Sequence, residues 1–124
     1  MKNFNQLVSE YKETKGRLTT LSIKKMELMD LSNDTENDNY LSSIFKNRYT
    51  DIDSQQSRLE QELDKLSRKI INKVDSINNI DAQNIILMRI FTNKTWKFIA
   101  KSCFYSEARV RQLYKKGITL LTQE

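Results

Sequence analysis

A chain of 124 residues, 38% hydrophobic and 30% charged, carries enough apolar material for one or two small modules with thin cores, which suits packed helices better than a sandwich. With no proline and only Gly16 and Gly117, it lacks the turn formers of an all-β fold. With no histidine and one cysteine, Cys103, it excludes a Cys/His zinc site within the chain, an internal disulfide, and Ser-His-Asp or Cys-His catalysis. The net charge is +5, and seven basic residues against Glu107 and Glu124 place all of that excess within 94–124. The preceding 93 residues balance at fourteen of each sign. Charge concentrated in this way points to a polyanion-binding element.

The first predicted helix runs from about Asn3 to Leu31. Phe4, Leu7, Tyr11, Leu18, Leu21 and Leu28 recur at three- and four-residue steps, provided Thr14 and Lys25 occupy two seam positions. Gly16 and the β-branched pair Thr19-Thr20 weaken its middle. Ser32 to Asn39 is polar, acidic and aperiodic, and reads as a loop.

The second helix has the clearest pattern. Phe45, Tyr49, Ile52, Gln56, Leu59, Leu63, Leu66, Ile70, Lys73 and Ile77 form a heptad seam, with Arg58, Glu60, Glu62, Asp64 and Lys65 lying off it. Those three carboxylates are spread round the helix and read as a solvated face. Gln56 and Lys73 interrupt the seam as polar residues do when register or strand number is fixed. Two closures of the seam stay open: an intramolecular hairpin with the first helix, and an intermolecular coiled coil. Residues 1–79 are therefore expected to form a helical coiled-coil or oligomerisation region, with a homo-oligomer favoured as a dimer.

Asn78-Asn79 breaks the pattern, and the helices predicted after it are short. Asp81 is expected to cap a helix over Ala82 to Ile90, rich in apolar residues. Thr92-Asn93-Lys94 reads as a turn, Thr95 as the cap of a helix from Trp96 to Ser102, and Cys103-Phe104-Tyr105 as a second turn. Ser106 then caps a helix to about Leu121 that is expected to fray at Gly117. Two helices joined by a short turn have the layout of a helix-turn-helix, so 80–124 is assigned as a DNA-binding domain. Trp96, Ile99, Ala100, Val110, Leu113 and Leu121 are its expected core, and Tyr105, Tyr114 and Cys103 are read as packing residues.

The opposite face of the last helix carries Glu107, Ala108, Arg109, Arg111, Gln112, Lys115 and Lys116. Arginine pairs bidentately with guanine and glutamine with adenine, while lysine neutralises phosphate without reading sequence. Arg109 and Gln112, one turn apart, are the leading base-contact candidates, together with Glu107 and Ala108 at the head of the helix. Arg111, Lys115 and Lys116 are phosphate candidates, as are Lys94, Lys97 and Lys101 and the helix starts at Thr95 and Ser106.

The run Ser106-Glu107-Ala108-Arg109-Val110-Arg111-Gln112-Leu113 resembles the recognition helix of bacterial sigma factor region 4. The longer pattern Thr95-Trp96-Lys97-Phe98-Ile99-Ala100, Tyr105-Ser106, Val110, preceded by Arg89-Ile90-Phe91, is similar to the RinA- and ArpU-like activators of phages and mobile elements. Phe104 stands where those relatives have glycine, and Glu107-Ala108 replaces a charged pair, so no −35 promoter preference is carried over. The fold class implied is all-α, with long N-terminal helices followed by a sigma region 4-like helix-turn-helix. The function implied is a sequence-specific transcription regulator of phage or mobile-element genes, most simply an activator. Its partners would be double-stranded DNA and, through the resemblance, host RNA polymerase.

Two alternatives share this architecture: a small terminase-like DNA-packaging subunit, and a protein-binding inhibitor of a host factor such as RNA polymerase. No constellation of nucleophile, base or metal ligands is visible, so neither an enzyme nor a cofactor is expected. Met1 to Glu10 has no apolar run, and nothing reaches the length of a membrane span, so a soluble cytoplasmic protein is expected.

Overall fold

The computed structural model describes residues 2–123. Among these the chain is helical and without strands: α1 (Phe4–Asp34), α2 (Asn39–Val74), α3 (Ile80–Leu87), α4 (Trp96–Cys103) and α5 (Glu107–Thr122). No helix among the described residues is long and apolar enough to cross a membrane. The chain divides into two compact units. Residues 10–65 form one; residues 1–9 and 66–124 form the other, which contains all of α3, α4 and α5.

The 10–65 unit is a helical hairpin, so α1 and α2 pair with each other within one chain. Its register is set by polar residues. Lys25 Nζ lies 2.5 Å from Asp53 Oδ1 and donates to Gln56 Oε1 at 3.3 Å. The same ammonium sits 5.1 Å from the centre of the Tyr49 ring. Two seam positions that looked like defects in an apolar stripe, Lys25 and Gln56, thus meet each other. A one-turn slip would separate them. The Asp53 hydrogen bond raises the Lys25 pKa above 10.5, against the opposing effect of desolvation and with help from the Asp53 charge. A pKa raised on folding stabilises at neutral pH, and the contribution is lost only as the pH climbs past 10.5 towards the raised value.

The connection is shorter than the expected loop over 32–39. α1 continues to Asp34, and only residues 35–38 turn. Asp38 Oδ1 then caps α2, accepting from the Tyr40 and Leu41 N–H groups at 3.1 Å. At the start of α1, Asn3 and Gln6 exchange side-chain-to-backbone hydrogen bonds of 2.9 Å in a capping box.

The other unit holds most of the buried apolar side chains: Phe4 and Leu7 from α1, Leu66, Ile70 and Val74 from α2, and residues from all three short helices. α2 ends at Val74, so Ile77 lies beyond the helix, although it is buried as the seam implied. The expected cap at Asp81 is corrected. Asn79 takes that role, its side chain accepting from the Ala82 N–H at 3.0 Å, which starts the helix two residues earlier. Asp81 falls in the first turn, where its charge suits the helix dipole. The same helix ends differently too. It widens into a π-helical turn over Met88–Thr92, and Asn93 closes it in a left-handed conformation at φ 51°. Asparagine tolerates that region better than most residues.

α5 does not fray at Gly117. The glycine is buried, and a Cβ there would come within 2.6 Å of Ile86 Cδ1 and 3.6 Å of the side chains of Ala82 and Ile77. The residue read as a weak point is where α5 packs directly against side chains of α3. The helix therefore runs unbroken to Thr122.

Candidate nucleic-acid interface

α4 and α5 are joined by three residues, Phe104, Tyr105 and Ser106. The two helix starts are built as their capping residues imply. Thr95 Oγ1 accepts from the Phe98 N–H, and Ser106 Oγ accepts from the Arg109 N–H, both at 3.1 Å. Cys103 is the last residue of α4, not part of the turn. Its thiol is half-buried, and desolvation first, then the charge of Asp81, pushes its pKa up, so it stays protonated at neutral pH.

The helix pair is held by one cluster: Ile85 of α3, Ile99 and Ala100 of α4, and Val110 and Leu113 of α5, with Met88, Trp96, Cys103 and Tyr114 packed against it. Five of the six expected core residues meet here. Leu121 is buried, but outside this cluster. Ala100 is the small residue among larger ones, as the close approach of the two helices requires. Tyr114 packs edge-on to Trp96 with ring centres 5.0 Å apart. The Tyr105 hydroxyl donates to Asp81 Oδ2 at 2.5 Å, which ties the turn to α3 and raises the phenol pKa through that bond and then through the Asp81 charge. Tyr114 thus packs as expected, whereas Tyr105 is exposed and held by a hydrogen bond. That Asp81 would be the acceptor had no local signal in the sequence, because the two residues are 24 positions apart.

With this side anchored, the whole candidate set faces solvent. Glu107, Ala108, Arg109 and Gln112 are exposed, as are Lys94, Thr95, Lys97, Lys101, Ser106, Arg111, Lys115 and Lys116. The structure joins two of them directly: Arg109 Nη1 donates to Gln112 Oε1 at 3.0 Å across one turn of α5. It places two others beside aromatic rings. The Arg111 guanidinium lies 5.7 Å from the Trp96 ring centre, and Lys94 Nζ lies 5.0 Å from that of Phe98. Arg89, outside the predicted set, stacks on Trp96 at 4.3 Å and donates to the Lys94 carbonyl at 2.6 Å, fixing the entry to α4. Trp96 is therefore clasped by two guanidiniums and one tyrosine edge, which leaves it a packing role.

Phe104 departs from what packing would dictate. It holds the left-handed conformation at φ 60° and is 95% exposed. The conformation closes α4 in the way a glycine usually does, turning the Phe104 and Tyr105 N–H groups back to the Ala100 carbonyl. A side chain with a Cβ pays roughly 1–2 kcal/mol for that region, and this one recovers nothing by burial. Phe104→Gly is therefore expected to raise the unfolding free energy by about 0.5–1 kcal/mol, net of the entropy that glycine loses on folding. Thermal melts of the two proteins check it, and a lower melting temperature for the glycine variant would show that Phe104 makes a stabilising contact.

No protein family, no curated protein and no solved structure matches this chain. Among the described residues no group of three or more Cys, Asp or Glu side chains is arranged to hold a metal ion.

Proposed function

We propose that this chain is a sequence-specific DNA-binding protein that regulates transcription, with α4 and α5 acting as a helix-turn-helix and α5 as the helix that enters the major groove. The observation that carries this reading is the outer side of α5. Arg109 and Gln112 are exposed and hydrogen-bonded to each other, on a helix whose inner side is locked by Val110, Leu113, Gly117 and Leu121. A paired Arg and Gln presents both base-reading chemistries from one turn of helix. The bond between them limits their rotamers before any DNA is met, which lowers the ordering cost of contact. Lys97 and Lys101 on α4 and Lys115 and Lys116 on α5 are exposed and add charge suited to the phosphate backbone.

The attribution to phage or mobile-element genes, and activation as the sense of regulation, rest on the resemblance over residues 80–122. Partnership with RNA polymerase rests on it as well.

Selection of duplexes from a random library with the purified protein tests the reading, followed by Arg109→Ala and Gln112→Ala. Each variant is expected to lose discrimination at one or two base pairs, about 1–3 kcal/mol per position, while retaining affinity for unrelated DNA. Failure to enrich any sequence would overturn specific binding. An equal loss on all sequences would reassign the two residues to phosphate.

A further inference from the structure

Between Lys15 and Leu63 the hairpin seam stays half-exposed. Leu18, Leu21, Leu28, Phe45, Tyr49, Ile52, Leu59 and Leu63 are all only partly buried, although they occupy the positions of a core. Within the 10–65 unit only Tyr11, Thr14 and Ser42 are buried, among the described residues. Two helices alone lack the third wall that closes such a seam. Two adjoining hollows show where the wall is missing. One, of about 800 Å³, is lined by Gly16, Thr20, Leu21 and Leu59 with Arg17 and Arg58; a Cβ on Gly16 would meet nothing within 4 Å. The next, of about 380 Å³, is lined by Leu28, Leu31 and Ile52 with Lys24, Glu27, Arg48 and Asp51. Gln55 borders both.

We infer that this face docks a second copy of the chain, antiparallel, about a two-fold axis near Gln55, so that two hairpins complete a four-helix bundle. The charges bear on its direction. The first hollow is rimmed by two arginines and no carboxylate, while the second carries Glu27 and Asp51 together with Lys24 and Arg48. A two-fold axis at Gln55 brings position 58 of one chain opposite positions 51 and 52 of the other, and the reverse, as a self-complementary interface must. The same operation sets Gly16 and Thr20 against the segment containing Glu27. Parallel pairing would instead stack Arg58 on its own copy. It would also bring together two hairpin tips, residues 26–45, each with five carboxylates and no cation. Arg17 already pairs with Glu13 at 2.8 Å, so Arg58 is the informative position.

Sedimentation of the full chain without DNA tests this independently of any nucleic-acid role. The protein is expected to be a dimer at micromolar concentration. Arg58→Glu is expected to weaken dimerisation by roughly tenfold or more, since like charges then face across the interface. Arg58→Glu combined with Asp51→Arg restores the complementarity and with it the dimer. Gly16→Lys blocks the larger hollow while favouring the helix, so it is expected to give a monomer whose helicity and melting temperature in dilute solution are undiminished. A wild-type chain that stays monomeric to high micromolar concentration would overturn the inference. So would a dimer indifferent to Gly16→Lys, or a charge swap that fails to rescue.

Discussion

Ile85→Ala is expected to lower the unfolding free energy of the 66–124 region by about 2–5 kcal/mol. Ile85 is fully buried, and it is the α3 member of the cluster whose other members come from α4 and α5. Truncation removes apolar contacts on all three helices at once, and the neighbours, also buried, have little freedom to collapse into the space. Domains of this size have roughly 5–15 kcal/mol in total, so the loss takes a large share of what keeps α5 in place. The single tryptophan packs against this cluster, so urea unfolding followed by Trp96 fluorescence reads the effect where it arises. Ile80→Ala is the matched control: Ile80 is 70% exposed in the first turn of the same helix, and its truncation is expected to stay within about 0.5 kcal/mol. A loss below 1 kcal/mol at Ile85 would mean that the three helices do not share one core.

That cluster also shows what the sequence made legible. Ile99, Ala100, Val110 and Leu113 could be placed on one core from spacing alone, because a three- to four-residue apolar period on two capped helices leaves few ways to bury them. The caps at Thr95 and Ser106 were legible for a similar reason. Each is a hydroxyl residue just before an apolar-periodic run, and its partner N–H lies three residues on. The features that escaped depend on distant residues or on backbone choices with near-equal local alternatives. Asn79 and Asp81 are both good capping residues, and of the two Asn79 takes the Ala82 N–H while Asp81 is engaged by Tyr105, 24 positions on. Gly117 looks like a helix breaker in one dimension and is a contact surface in three, because Ile86 lies 31 positions away. The π-helical turn at Met88–Thr92 has no proline or glycine to announce it. Of the candidate site, exposure was legible for every residue. The Arg109–Gln112 bond follows from their i, i+3 spacing, whereas the aromatic neighbours of Arg111 and Lys94 were not foreseen.

Those neighbours bear on the second large effect, the salt dependence of the proposed DNA binding. Each phosphate neutralised releases counterions, so the logarithm of the affinity falls with the logarithm of salt at a slope of about −0.9 per contact. If Lys94, Lys97, Lys101, Arg111, Lys115 and Lys116 all engage phosphate, the slope per chain is about −5, and affinity falls roughly a thousandfold between 50 and 200 mM salt. Arg111 and Lys94, however, lie over the Trp96 and Phe98 rings, which competes with an outward reach. With the other four lysines alone the slope is nearer −3.6, and the fall about a hundredfold. Titrations over that range measure the slope, and two variants separate the cases. Lys115→Ala is expected to reduce its magnitude by about one on specific and random duplexes alike. Arg111→Ala does the same only if the guanidinium leaves Trp96 on binding, and leaves the slope unchanged if the stack persists. A slope near zero for the wild-type chain would mean that the cationic surface of α4 and α5 serves something other than a nucleic-acid backbone.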